Sequence, residues 1–293
     1  MSSRTLDAVS LKSIYTVEMT ERDFRRLSSF ISDRCGIKLP PAKKTMLEGR
    51  LRKRLRALGL NDFGAYCDYV FSRSAGDPEH LHMIDAVTTN KTDFLREPKH
   101  FDYLTRKAVP HLLEVYGLGR KTGLNIWSAG CSTGEEPYTL AMCLSEFART
   151  TGSIDFRILA TDISTMVLDI ARRGIYEHEK VEPIPLSWRQ KYLLRSKDRT
   201  KGLVRIVPEL RNLVKFQHLN LLADDFGHQE PQAVIFCRNV LIYFHRPTQL
   251  EVLQRLCRYL VPSGYLFVGH SETLHGLDLP LVQAAPTIYQ KIQ

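Results

Sequence analysis

From Leu124 onward this chain of 293 residues alternates short apolar runs with stretches of helical periodicity, and that alternation limits the fold more than any other feature. Apolar runs too short for buried helices, separated by amphipathic segments, are the pattern of a mainly parallel sheet covered by helices. Strands are expected at 124–129, 156–161, 213–219, 232–237 and 264–269, with a last one near 281–291. Helices are expected at 135–149, at 164–173 with Ser164 as N-cap and Gly174 just past the end, and at 247–261, where Pro247 suits a first turn. Residues 183–212 break the alternation. They hold a short helix near Ser187, the polar turn RSKDRTKG and a β-rich LVRIV, too much for a simple connection, and read as a small inserted β-subdomain with a hairpin.

Before this region the texture is helical. Thr20 caps a helix whose inner face is Phe24, Leu27, Phe30 and Ile31 and which Gly36 ends. In PPAKKTMLEGRLRKRLRALG, Leu47, Leu51, Leu55 and Leu58 form one stripe; Arg52, Lys53 and Arg56 project from the other side, with Arg50 and Arg54 flanking. Shorter helical patterns follow at 63–71 and 78–86. The expected organisation is a polar tail over 1–18, a helical domain over 19–88, a linker over 89–97 and an α/β domain over 98–293.

With 43% hydrophobic residues the chain can bury a substantial core. No apolar run is longer than AVIFC at 233–237, which is followed by Arg238, far short of the roughly 20 apolar residues that span a bilayer. The N-terminal stretch lacks the basic flank and apolar run of a signal peptide, and the six cysteines are scattered without a CxxC pair. Buried reduced thiols in a cytoplasmic protein are expected, with no metal. The net charge of +9 suggests nucleic acid or an acidic partner, but Lys43 to Arg56 alone holds seven basic residues against Glu48, so this segment carries +6.

In doubly wound sheets ligands sit beyond the carboxyl ends of the central strands. SAGCSTGEE follows the first expected strand there. Its small residues let a ligand approach the backbone, but Glu135 and Glu136 would repel a phosphate, GxGxxG is absent, and the next strand-end acid, Asp162, lies 28 residues past Gly134. A ligand with an adenosine moiety, no phosphate and a cationic amino-acid portion reconciles these features, and S-adenosylmethionine has them. Asp162 can accept bonds from both ribose hydroxyls; Glu135 or Glu136 can offset the ammonium and sulfonium charges. An ordinary helix N-terminus with two favourable acids would account for the loop nearly as well.

Six segments occur in order: TTNKTDFLRE (88–97), WSAGCSTGEEPYTLA, ATDIS, NLL (220–222), FCRNVLIYF (236–244) and VGHSE (268–272). Together they resemble the CheR family of chemotaxis-receptor glutamate methyltransferases, from about residue 18 to the C-terminus. The resemblance implies a Rossmann-like class I methyltransferase sheet with an N-terminal helical domain. It implies S-adenosylmethionine as cofactor, S-adenosylhomocysteine as product, and the cytoplasmic domain of chemoreceptors as partner. Neither nucleic acid nor membrane insertion is implied, and a cytoplasmic monomer is expected.

Residue by residue, the resemblance places Asn90, Thr92 and Arg96 on the segment crossing the cofactor site. It makes Gly130, Glu135 and Glu136 the first loop's contribution, Asp162 the ribose ligand, Asn220 and Leu221 the adenine neighbours, and Arg238 and Asn239 cofactor contacts. Arg96 and Tyr243 are the catalytic candidates, orienting and hydrogen-bonding the substrate carboxylate. His270 and Ser271 read as structural. The basic residues Arg50, Arg52, Lys53, Arg54 and Arg56 would meet the Glu- and Gln-rich receptor helices. The turn RSKDRTKG offers only Gly202, unlike the several glycines of family members that grip a receptor tail peptide, so tail binding is not carried over. A nucleic-acid methyltransferase would suit the positive charge but would want a DPPY-like or PC motif, which is not found. A non-enzymatic module that senses the cofactor or docks on receptors is the other alternative.

Overall fold

The computed structural model describes residues 17–74, 76–117, 123–152, 154–227 and 230–292. The chain divides into two compact units, Met1–Thr89 and Asn90–Gln293. The polar tail expected over 1–18 lies, as far as residue 16, outside the described residues.

The first unit is helical. Helix α1 (Glu21–Cys35) begins where Thr20 Oγ1 accepts from the Asp23 N–H and ends at Gly36 with φ 73°, a left-handed stop. Helix α2 (Lys44–Leu58) follows a 3-10 turn at Pro41–Lys43. Helices α3 (Phe63–Phe71) and α4 (Pro78–Val87) are capped by Asp62 and Asp77. Leu47, Leu51 and Leu55 are fully buried with Leu27, Ile31, Tyr66, Val70 and Met83; each large aliphatic chain taken from water contributes roughly 1.5–3 kcal/mol. The polar side of α2 is held as well. Arg54 Nε and Nη2 donate to Glu79 at 3.0 and 2.5 Å, and the Tyr66 hydroxyl donates to the same carboxylate at 2.8 Å.

The second unit opens with α5 (Pro98–Tyr103) and α6 (Val109–Tyr116), joined by a π-helical turn at Leu104–Ala108. Pro110 has no N–H and crowds the carbonyl four residues back, so the wider turn absorbs the defect. The elements then run β1 (Leu124–Ala129), α7 (Glu135–Thr151), β2 (Phe156–Asp162), α8 (Thr165–Arg173), β3 (Ile175–Glu177), α9 (Leu186–Tyr192), β4 (Leu193–Arg195) and β5 (Leu203–Ile206). After them come α10 (Pro208–Arg211), β6 (Val214–His218), β7 (Gln232–Cys237), α11 (Arg246–Tyr259), β8 (Leu260–Val268), β9 (Leu281–Ala285) and β10 (Ile288–Lys291).

The main sheet has the order β6-β2-β1-β7-β8-β10-β9. The first five strands are parallel, β10 is antiparallel to β8, and β9 is antiparallel to β10. Alternate side chains feed two cores: Ile126, Ile158, Val234 and Phe236 pack with Leu140 and Leu144 of α7, while Trp127, Ile235 and Leu266 pack with Val252, Leu253 and Leu256 of α11. This is the doubly wound sheet the alternation predicts. Strand order reverses at β1, between β2 and β7, which opens a crevice beyond their carboxyl ends.

Two details differ from the expected strands. The run 281–291 is a hairpin, because Pro286 cannot donate to a ladder and Thr287 turns the chain at φ 60°. The small sheet, in the order β3-β5-β4, includes β3, which lies outside 183–212 and is too short for periodicity to mark. All six cysteines are buried. Among the described residues no helix is long and apolar enough to cross a membrane.

Candidate active site

The loop between β1 and α7 is built by backbone first. The N–H groups of Gly130 and Cys131 both donate to Thr161 O, at 2.8 and 2.9 Å, and Ser132 and Gly134 take positive φ of 49° and 98°. Asp162, at the end of β2, fastens the loop: Oδ2 accepts from the Ser132 N–H at 2.8 Å and Oδ1 from the Ser164 N–H at 2.9 Å. Burial raises the Asp162 pKa, and these backbone donors oppose the rise. With the Ile163 N–H as a third backbone donor, the carboxylate's roughly four lone-pair sites are not all filled, so it can still accept. Asn220 lies alongside, since the Leu219 N–H donates to Asp162 O and Asn220 Oδ1 accepts from the Leu222 N–H at 3.0 Å. Leu221 is buried in the core on the α11 side.

Glu135 and Glu136 diverge. Glu135 accepts from Thr133 Oγ1 at 2.6 Å and lies 3.9 Å from Lys180 Nζ. Lys180 also donates to Thr92 O at 2.9 Å, tying in the entering segment. Glu136 accepts from Ser128 Oγ at 2.7 Å, and its Oε2 is 3.5 Å from Arg238 Nε. Burial raises both carboxyls; Arg238 and Ser128 pull Glu136 down, and Thr133 and Lys180 pull down Glu135.

Arg238 is the buried cation of the site. Its side chain is 2% exposed, lies against the rings of Phe101 and Phe236, and donates from Nη2 to Arg96 O at 2.6 Å. Nη1 has no hydrogen-bond partner among the described residues. Arg96 itself is half-buried and donates from Nη1 to Lys91 O. Ser132 Oγ donates to Asn90 O at 3.0 Å, so the segment from Asn90 to Arg96 runs against the first loop.

The loop after β7 is held by an acid that sequence reading passed over. Glu272 accepts from the N–H groups of Asn239, Leu241, Ile242 and Gly269. Asn239 takes φ 59°, and Tyr243 closes a 3-10 turn at Leu241–Tyr243, half-buried against the α11-side core. Gly130 abuts this loop; a Cβ there would fall 2.3 Å from Val240 Cγ2. Glu272 stands four residues past the end of β8 at Val268, so it lacks the strand-end position that marks Arg238 after Cys237. Glu97 and Lys180 carried no comparable mark.

Hydrogen bonds and short contacts thus connect Asn90, Thr92, Arg96, Gly130, Glu135, Glu136, Asp162, Asn220, Arg238 and Asn239 into one set at the carboxyl ends of β1, β2 and β7. Two family descriptions match the chain in succession: "CheR methyltransferase, all-alpha domain" over residues 22–88 and "CheR methyltransferase, SAM binding domain" over 90–287. The chain belongs to the CheR methyltransferase family. The sheet is accordingly that of a class I methyltransferase, and S-adenosylmethionine is the cofactor. A chemotaxis protein methyltransferase of Escherichia coli (strain K12) is 41% identical over 280 residues, covering 93% of this chain and 94% of that protein. One from Borreliella burgdorferi is 38% identical, covering 94% and 96%, and chemotaxis protein methyltransferase 2 of Pseudomonas aeruginosa is 40% identical, covering 92% and 93%.

The donor set fits the cofactor of the CheR family. Acceptors at Asp162 suit sugar hydroxyls, acids at Glu135 and Glu136 suit a cationic portion, and the orphaned Arg238 Nη1 suits a carboxylate.

The five basic residues of α2 belong to the first unit, and several already have partners. Arg50 donates to Val87 O, Thr88 O and Thr89 Oγ1, Arg52 to Val17 O, and Arg54 to Glu79. Lys53 and Arg56 are exposed.

Proposed function

We propose that this methyltransferase forms methyl esters on glutamate side chains in the cytoplasmic region of bacterial chemoreceptors, acting as a cytoplasmic monomer. The carrying observation is that relatives about 40% identical over more than nine-tenths of the chain are chemotaxis protein methyltransferases, and that the match runs through the helical unit as well as the cofactor domain.

A glutamate carboxyl has an ordinary pKa near 4.3, so the attacking oxygen is already ionised at neutral pH and needs no general base. Bound S-adenosylmethionine supplies a methyl group on a sulfonium that is its own leaving group. The chain's task is positioning. Asp162 accepts from the ribose hydroxyls, Asn220 and Leu221 flank the adenine, and the linker of residues 89–97 crosses the cofactor with Asn90 and Thr92. Gly130 lets the backbone approach, Glu135 and Glu136 offset the positive charge, and Arg238 and Asn239 complete the binding set. Arg96 orients the incoming carboxylate, and the Tyr243 hydroxyl donates to it. On α2, the exposed Lys53 and Arg56, with Arg50, Arg52 and Arg54 beside them, attract the acidic receptor helices.

The test is incubation with methyl-labelled S-adenosylmethionine and receptor cytoplasmic fragments. Label released as methanol in mild alkali is expected from an ester; alkali-stable label, or transfer to nucleic acid, would overturn the assignment.

A further inference from the structure

Beside the Arg238 guanidinium stands a group that the proposed binding set does not use. Glu97 follows Arg96 directly, with φ 58° at the N-terminus of α5, a conformation that non-glycine residues rarely take. Its side chain is 10% exposed, and Oε1 accepts from the His270 N–H at 3.2 Å. Oε2 lies 3.4 Å from Arg238 Nε, 3.4 Å from His100 Nδ1 and 4.0 Å from His270 Nε2. Among the described residues Glu97 Oε2, His100 Nδ1, Arg238 Nε and Arg238 Nη1 are all buried without a hydrogen-bond partner.

The imidazole state follows from its other side. Thr287 Oγ1 gives its proton to Pro286 O at 2.7 Å, so at 2.8 Å it can only accept from His100 Nε2. Nε2 therefore carries the hydrogen, and Nδ1 of the neutral ring turns a lone pair toward Glu97 Oε2. Two acceptors facing each other gain nothing, which leaves the Arg238 N–H as the donor that Oε2 can use. A divalent ion on Glu97, His100 and His270 would answer the same shortage, but it would sit against the guanidinium, and like charges at that distance repel strongly in a buried site.

We infer that Glu97 is a positioning residue: with Glu136 it clamps Arg238 Nε from two sides, so that Nη1 is held as a fixed donor for the carboxylate of the cofactor's amino-acid portion. This rests on the reading of Arg238 as a cofactor contact. The clamp explains why a buried arginine with two acids beside its Nε still leaves Nη1 without one.

Calorimetry on the full chain tests it with two probes, S-adenosylhomocysteine and 5′-methylthioadenosine, which lacks the amino-acid portion. Glu97→Gln is expected to weaken S-adenosylhomocysteine binding about ten-fold or more while changing methylthioadenosine binding less than about two-fold. In the Arg238→Ala background, Glu97→Gln should add nothing. Equal weakening of both probes, or additive losses in the double variant, would overturn the clamp in favour of a merely structural role. Affinity that requires zinc and is lost on chelation would make the trio a metal centre instead. If the unsubstituted protein bound neither probe, the cofactor reading itself would fail, whatever Glu97 does.

Discussion

Two adjacent acids, Glu135 and Glu136, share the first turn of α7 yet meet different cations, Lys180 and Arg238, because successive helical side chains point about 100° apart. Burial raises the Glu135 carboxyl above its ordinary value, so the folded protein holds that proton more tightly than the unfolded chain does. The resulting stabilisation is fully present below the ordinary carboxyl pKa and is lost as pH rises through the higher folded value. Glutamine has no such dependence and can still accept from Thr133 Oγ1. Glu135→Gln should therefore gain stability relative to the unsubstituted protein as pH rises from 4 toward 7, read as the melting temperature of the variant minus that of the unsubstituted protein at each pH; a signed difference that falls over that range would contradict the sign. Burial raises the Glu272 carboxyl too, but its loss matters for another reason, since it fills four backbone donors that no other described residue reaches. Glu272→Ala is expected to cost about 3 kcal/mol or more in urea unfolding, with Glu272→Gln milder because it keeps one acceptor.

At the scale of elements, the turn from β1 into α7 decides where the site acids go. Gly134 has φ 98°, and a Cβ there would meet Ala171 Cβ and the Tyr176 hydroxyl at 2.9 Å and Ala171 Cα at 3.2 Å. The Tyr176 hydroxyl donates to Thr133 O, so it cannot yield without loosening the loop. Gly134→Ala should cost about 2–3 kcal/mol and weaken S-adenosylhomocysteine binding together, measured by unfolding and by calorimetry on one preparation; an unchanged stability would mean the turn relaxes freely. The central strands and the caps Thr20 and Ser164 are legible in the sequence because they rest on local periodicity and short-range hydrogen bonds. Strand β3 and the helices on either side of the π turn are not: one is three residues long, and the others are interrupted where Pro110 disturbs the pattern. The site divides the same way. Glu135, Glu136 and Asp162 stand at strand ends and helix starts, where topology gives an acid meaning. Glu97 looks like a loop residue until the fold brings Arg238, 141 positions later, within 3.4 Å.

For the whole molecule, the decisive quantity is where the charge sits, since Lys43 to Arg56 carries +6 of the net +9. Within that segment Arg54 is committed to Glu79, so Glu79→Ala would strand a half-buried guanidinium and the Tyr66 hydroxyl; its effect belongs to folding. Lys53 and Arg56 are exposed, and a reversal there changes the field at the surface. Opposite charges on two macromolecules raise the encounter rate, and salt screens that attraction beyond about 10 Å at 0.1 M. If α2 attracts an acidic receptor surface, kcat/KM for receptor fragments should fall about ten-fold between 0.05 and 0.5 M salt. The pair Lys53→Glu and Arg56→Glu should lower kcat/KM at low salt and flatten its salt dependence, while the dissociation constant of S-adenosylhomocysteine stays within about two-fold, since the cofactor residues all belong to the other unit. A salt slope equally steep in the charge-reversed variant would assign the attraction to other residues and leave α2 with a structural role alone.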